Sequence, residues 1–369
     1  MRISQLFAGP YDGGPRAQLF SRVADGFSLP DELRQQLILA RRPGWQALAG
    51  FGRPGLALPF RRWPAAGGAG RLDRRSRAAV AAELELFKPD VIAVWDEASM
   101  ARLPAQPEAV TLGIATDPEA ALALRRCRYL VALSPEIAGQ AVDRGWPEER
   151  VRPLPPFADG DLVDPLPRAT LATSVDATVV LLPWTLDLEA LGAVLLAARR
   201  LPLPTLWMPG VDRKRLKLAL GCQVPLRDLG PELDRARAFA AADLVLCTAA
   251  GDAMGLGIVE AWAQTKPVVA AGAPAASGLV RHEDSGLLAR DTTPDALAAA
   301  LRRPLDDPLL YDRLAANGRA AFDAGHGEAR ALARWLEAYL SLSALMLPGA
   351  RGLRETRRKA PPPRTDIEV

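Results

Sequence analysis

From Asp243 to Leu288 the chain reads as an apolar strand, a loop of small residues, a helix and a second apolar strand. The first strand is Leu244 to Cys247 and the loop is Thr248 to Gly257. The helix pattern starts near Leu256, and Pro267 to Ala271 is the second strand. This unit is how α/β proteins aim backbone amides and a helix N-terminus at a phosphate. Asp252 and Glu260, eight positions apart, bracket the loop and could hold sugar hydroxyls beside such a site.

The rest of the chain repeats that alternation. Ile3 to Ala8, Val91 to Trp95, Val110 to Ala115, Tyr129 to Leu133 and Arg152 to Pro156 read as strands. Helical patterns lie between them, over Ala17 to Ala24, Ser76 to Phe87, Asp117 to Arg126 and Glu136 to Arg144, the last capped by Ser134 with a proline behind it. A polar, proline-containing stretch from Ala158 to Arg168 predicts an interdomain linker. Beyond it, Thr178 to Leu182, Thr205 to Met208 and Val224 to Leu226 are short strands. Helices are predicted over Leu188 to Arg200, Asp212 to Leu220 (stopped by Gly221), Leu233 to Ala241, Pro294 to Arg302 and Leu309 to Phe322. The fold class is therefore α/β, with parallel sheets covered on both faces.

At 369 residues the chain is long enough for two ordinary domains. Its 49% hydrophobic and 24% charged content is globular, and no apolar run of 18 residues predicts a spanning helix. Met1-Arg2 leads straight into a strand, so no signal peptide is expected, and the protein reads as cytoplasmic. Three scattered cysteines predict buried small hydrophobes, not disulfides, and two histidines cannot build a His-rich metal site. The net charge of +3 is unevenly spread: nine arginines against Asp73 lie between Arg34 and Arg75, with aromatics interleaved. Either that segment is a solvated face, or it meets anionic lipid headgroups or an anionic acceptor. No nucleic-acid motif accompanies it. Arg330 to Leu345 is apolar on more than one side, and the tail after Pro348 is basic and proline-rich, which predicts disorder.

The stretch Asp252-Ala253-Met254-Gly255-Leu256-Gly257-Ile258-Val259-Glu260-Ala261 resembles the nucleotide-binding half of family 4 glycosyltransferases, which carry roughly E-G-F-G-L-x-x-x-E-A. Lys266-Pro267-Val268-Val269 and Asp284-Ser285-Gly286-Leu287-Leu288 keep the family's rhythm, as do Phe87 to Ile92, Leu133 to Glu136, Gly145 to Pro147 and Leu154 to Asp159. The resemblance implies the GT-B fold: two Rossmann-like domains facing each other across a cleft. It implies an acceptor domain over 1–160, a nucleotide-sugar domain over 161–329 and a helix over 330–346 returning to the first, with 347–369 as the tail. Glu260 would hold the donor ribose, and Asp252 would face the donor sugar. The amides of Met254, Gly255 and Leu256 would lie near the diphosphate. Gly13 and Gly14 could close over the same phosphates from the other domain, or form a plain turn. No metal or cofactor is implied; the nucleotide sugar is a substrate. The partner expected with it is a saccharide or lipid-linked acceptor, with peripheral contact to the inner face of an anionic membrane left open.

Three departures from the family stand out. The stretch Leu182 to Glu189, after the first strand of the second domain, lacks the family's basic pair. Arg281, or Arg213 to Arg215, could supply charge instead. Ala115-Thr116-Asp117 replaces a histidine, so that Asp117 is either a sugar contact or a helix N-cap. Asp252 replaces a glutamate. Two functions follow: an active, retaining glycosyltransferase of cell-surface polysaccharide or glycolipid synthesis, or an inactive relative that binds or scaffolds. A nicotinamide-dependent Rossmann enzyme is a distant third, since no G-x-G-x-x-G follows the first strand with an acid about 20 residues on.

Overall fold

The computed structural model describes residues 1–8, 14–28, 33–39, 60–62, 71–105, 109–230, 234–248, 252–272 and 274–344. Gly13, most of the arginine-rich 34–75 segment and the tail lie outside the described residues. In the first half, strands β1 (Arg2–Phe7), β2 (Arg34–Leu39), β3 (Phe60–Arg62), β4 (Val91–Val94), β5 (Val110–Ala115), β6 (Tyr129–Ala132) and β7 (Val151–Pro153) form a parallel sheet, ordered β3-β2-β1-β4-β5-β6-β7. In the second, β8 (Thr178–Leu181), β9 (Pro204–Met208), β10 (Leu226–Asp228), β11 (Leu244–Thr248), β12 (Val268–Ala271) and β13 (Leu287–Leu288) form another, ordered β10-β9-β8-β11-β12-β13.

Successive side chains of a strand point to opposite faces, and these sheets use both. Val91, Ala93 and Trp95 enter one hydrophobic cluster while Ile92 and Val94 enter another. In the second sheet Leu244 and Leu246 face one cluster, Val245 and Cys247 the other. The covering helices are α1 (Pro15–Gly26), α2 (Arg71–Phe87), α3 (Glu97–Arg102), α4 (Pro118–Ala123) and α5 (Pro135–Asp143) in the first half. The second half has α6 (Leu188–Ala198), α7 (Arg213–Cys222), α8 (Arg235–Ala241), α9 (Leu256–Ala263), α10 (Pro274–Leu279), α11 (Pro294–Asp306) and α12 (Pro308–Gly325). Side-chain caps start many of them: Ser134 Oγ accepts the Ile137 amide at 3.1 Å, and Asp96, Asp187, Asp212 and Asp307 act alike.

Two local expectations are corrected. Arg34 to Leu39 is a buried strand, not merely the start of a charged segment, because Gln35 and Gln36 satisfy their amides inside. Gln35 Nε2 donates to Ala24 O at 2.7 Å and Ser4 Oγ to Gln36 Oε1 at 3.2 Å. Helix α7 runs through Gly221 and stops at Gln223, which takes the left-handed conformation at φ 58°.

The last helix, α13 (Glu328–Ala344), packs on the first half through Ala331, Trp335, Tyr339 and Leu342. The chain thus crosses between halves twice, and the crossings touch. Phe157 belongs to the first half's cluster and Ala158 to the second's. Ala158 bridges to Gly327, its amide donating to His326 O at 3.2 Å, and His326 Nδ1 lies 2.9 Å from Pro156 O.

Candidate functional site

In each sheet the strand order reverses once, between β1 and β4 and between β8 and β11. Open α/β sheets bind ligands at that reversal, outside the carboxyl ends of the strands. β11 ends there at Thr248, the loop residues 252–255 lead into the helix that follows, and the stretch from Leu182 to Asp187 leaves β8 at the same end. Helix α9 is preceded by its N-cap Gly255, whose φ of 79° suits a residue without a Cβ.

Asp252 is 1% exposed and caps α9 from within. Its Oδ1 accepts the Leu256 amide at 2.9 Å and its Oδ2 the Gly257 amide at 2.5 Å, while the Gly255 amide donates to Asp252 O at 3.3 Å. Two of the three amides expected near a diphosphate, those of Gly255 and Leu256, are thus engaged inside the loop. Burial pushes the Asp252 carboxyl up to about 6, against the hydrogen bonds from Gly257 and Leu256; the Glu260 charge adds to the rise. The indole N–H of Trp184 favours the ionised form from nearby without meeting hydrogen-bond geometry.

Glu260, one turn deeper in α9, is 6% exposed. It holds two arginines from different parts of the chain. Arg22 Nη2, from α1 in the first half, lies 2.7 Å from Oε1, and Arg235 Nη2, at the start of α8, lies 2.7 Å from Oε2. Burial alone would raise the Glu260 carboxyl, but Arg235 and then Arg22 outweigh it and hold it below the usual carboxylate range. Neither arginine was singled out by the sequence. Arg22 is one cation amid the buried Leu19, Phe20 and Val23 of an amphipathic helix, and that odd position was the available signal. Arg235 sits in an Arg-Ala-Arg run that gives no hint of direction.

Above the carboxylates the site is apolar. Met254 and Leu256 are 2% and 0% exposed and, with Trp184, join the first half's cluster beside Phe20 and Trp95. A Cβ on Gly257 would lie 2.6 Å from Pro183 Cγ, so the stretch after β8 rests directly on the first turn of α9. Trp184 Nε1, Arg235 Nε and Thr248 Oγ1 are buried with no partner among the described residues.

Asp117 caps α4, accepting the Ala120 amide at 2.7 Å, and lies 3.4 Å from Arg16 Nη2. Arg16 and Arg22 share α1, about 9 Å apart along its axis. Gly14 precedes α1 in extended conformation. Arg281 is exposed and paired with Asp284 at 2.9 Å. Arg215 pairs with Asp212 and donates to Leu186 O, while Arg213 and Lys214 are exposed. Cys127 and Cys247 are buried, whereas Cys222 is partly exposed at the end of α7. No helix among the described residues is long and apolar enough to cross a membrane.

Comparison with known proteins gives this geometry a context. Residues 230–321 match the family described as glycosyl transferases group 1. The chain is 28% identical over 250 residues to the lipopolysaccharide core biosynthesis glycosyltransferase LpsD of Rhizobium meliloti, covering 64% of this chain and 70% of that one. It is 28% identical over 238 residues to LpsE of the same organism, covering 63% and 70%. Among solved structures, Anabaena HepE in complex with UDP and glucose superposes with a TM-score of 0.74 at 19% identity, over 92% of this chain and 100% of that one. WaaG, a glycosyltransferase involved in lipopolysaccharide biosynthesis, superposes with a TM-score of 0.70 at 16% identity, over 94% and 100%. The fold they share is GT-B.

Proposed function

We propose that the chain is a group 1 glycosyltransferase on a GT-B frame and that it moves a sugar from a nucleotide sugar onto a saccharide or lipid-linked acceptor of lipopolysaccharide core assembly. The observation that carries this is the buried pair of Asp252, in the loop before α9, and Glu260, on α9, at the strand-order reversal of the second sheet. Glu260 accepts the ribose hydroxyls of the donor. Asp252 fixes the loop 252–257 and faces the transferred sugar. The bond from the anomeric carbon to the diphosphate breaks, the acceptor oxygen takes that carbon, and the nucleoside diphosphate leaves. Transfer with retention lets the departing phosphate take the acceptor proton, so no side-chain base is needed. The first half, over 1–160, presents the acceptor, and the arginine-rich segment from Arg34 to Arg75 meets anionic lipid on the cytoplasmic side of a membrane. The second half, over 161–329, holds the donor.

A second reading has its own observation. The stretch Leu182 to Glu189 lacks the family's basic pair, and Trp184, Met254 and Leu256 are buried against the first half. That arrangement favours a relative that binds or scaffolds without turnover.

The test is a thermal-shift screen against UDP-, GDP-, ADP- and CMP-sugars, since a ligand of the native state raises the midpoint by mass action. A selective rise with one donor, absent in Glu260→Ala, is the expected result. Turnover of that donor with a lipopolysaccharide-core acceptor then separates the two readings. No rise with any donor, from a folded sample, sinks the donor site. Vesicles of anionic lipid should retain the protein, and charge reversal at Arg61 and Arg62 should release it; equal pelleting would return that segment to a solvated face.

A further inference from the structure

A donor diphosphate needs cations, and the stretch from Leu182 to Glu189 supplies none. The structure fills the same place from two other elements. Arg235 reaches back from α8: its Nη1 donates to Pro183 O at 2.9 Å, and its guanidinium carbon lies 4.2 Å from the centre of the Trp184 ring. It therefore rests on the backbone and the indole of the stretch that lacks the basic pair. Arg22 arrives from the opposite half, with Nη1 donating to Phe157 O at 2.9 Å and Nη2 to Glu260. Each side chain is about one quarter exposed, 25% for Arg22 and 23% for Arg235. Neither is sealed from a ligand entering between the halves.

We infer that Arg22 and Arg235 are the diphosphate-binding pair of this chain, one cation from each half, held together in the donor-free state by the Glu260 carboxylate. This rests on the nucleotide-sugar reading above. The chemistry of the groups supports it. A guanidinium carries five N–H donors in a fixed fork and matches phosphate oxygens as readily as carboxylate oxygens. Arg235 has spare capacity, since its Nε is buried without a partner. Glu260 offers one negative charge to two positive ones, so the trio keeps a surplus cation for the ligand. When a diphosphate enters, the guanidinium N–H groups turn from Glu260 to the phosphate oxygens. The freed carboxylate then accepts the ribose hydroxyls. Grip on the phosphates is thereby tied to both halves at once.

The competing view is a structural ion bridge with no ligand role. Calorimetric titration of the full chain with UDP, uridine and inorganic pyrophosphate separates the two. We expect Arg22→Gln and Arg235→Gln each to weaken UDP and pyrophosphate at least tenfold while leaving uridine unchanged. Arg22→Lys and Arg235→Lys, which keep the charge without the fork, should recover part of the loss. Glu260→Gln should weaken UDP yet tighten pyrophosphate, because it frees two cations; a purely structural bridge would not produce that inversion. Circular dichroism confirms folding, and the Lys and Glu260→Gln variants carry the test if a Gln variant unfolds. UDP bound equally by the wild type and both Gln variants overturns the inference and leaves the donor site standing. Pyrophosphate bound through the arginines without any nucleotide preference upholds the pair and sinks the donor reading. Binding of none of the three overturns both.

Discussion

Trp335 of α13 lies parallel to Trp95 at the end of β4, ring centroids 5.9 Å apart and planes 3° from parallel. Both are fully buried, and Tyr339 one turn on meets Phe27 edge-on at 5.0 Å. The helix that follows the second half is thus fastened into the core of the first by aromatic rings. Trp335→Ala should destabilise the protein by about 3–5 kcal/mol, the range for a large aromatic removed from a core. Trp335→Phe should cost under about 1.5 kcal/mol, because it keeps most of the ring and removes a buried indole N–H that has no partner among the described residues. Urea unfolding of the two variants checks the ordering.

Gly318 makes the opposite kind of contact. A Cβ there would sit 2.4 Å from Trp262 Cδ1, so α12 lays bare backbone on the indole. Trp262 has little room to yield, since its Nε1 donates to Ser285 O at 2.9 Å and it packs against His326. Gly318→Ala, which helix propensity alone would favour, should instead destabilise by roughly 1–3 kcal/mol. A higher thermal midpoint in that variant would show that the indole moves aside.

Asp252 gives a pH signature. Its folded-state carboxyl titrates near 6, above the ordinary 3.8, so the folded chain binds the extra proton between those values. Stability from this group is therefore fully present below about 4 and is lost as pH rises through 6, a swing of about 3 kcal/mol at most. Two groups oppose it. His326 is held below its ordinary range by burial, so the folded state resists charging it as pH drops. Glu260, held low by its arginines after burial is outweighed, loses its contribution as pH falls below the ordinary glutamate range. The difference between wild type and Asp252→Asn isolates the one residue: between pH 7 and 5 the midpoint of the wild type should gain on that of the variant at each acid step. Parallel curves would mean that Asp252 is solvated in solution.

Asp117 separates a cap from a contact. Asp117→Ala should cost about 0.5–2 kcal/mol through loss of the α4 cap, whatever else the residue does. Asp117→Ser keeps a capping oxygen and should keep stability. If the carboxylate also touches the donor sugar, Asp117→Ser lowers transferase turnover while its unfolding curve matches wild type; unchanged turnover leaves Asp117 as a cap beside Arg16.

Much of this architecture was readable from residue patterns because parallel strands buried on both faces are continuous apolar runs. Val110 to Ala115 and Leu244 to Cys247 are such runs, and both are strands. Strand β2 was missed for the converse reason: Arg34-Gln35-Gln36 looks polar, and only the neighbouring Ala24 and Ser4 show how the amides are satisfied. The end of α7 was misread because Gly221 is the usual stop signal, while the left-handed residue is Gln223. At the site, Asp252 and Glu260 announced themselves by spacing. Arg22 and Arg235 did not, because their meeting on Glu260 spans 238 and 25 residues of chain, and no local pattern encodes a contact made by folding two sheets together.

The paired crossings at Ala158 and Gly327 join the two halves at a single point, as an axle would. Motion about an axle is smallest beside it and largest at the rim. Arg22 grips that axle at Phe157 with one nitrogen and Glu260 with another. Any rotation of the halves about that axle would therefore displace the Arg22 guanidinium least and the outer rim most.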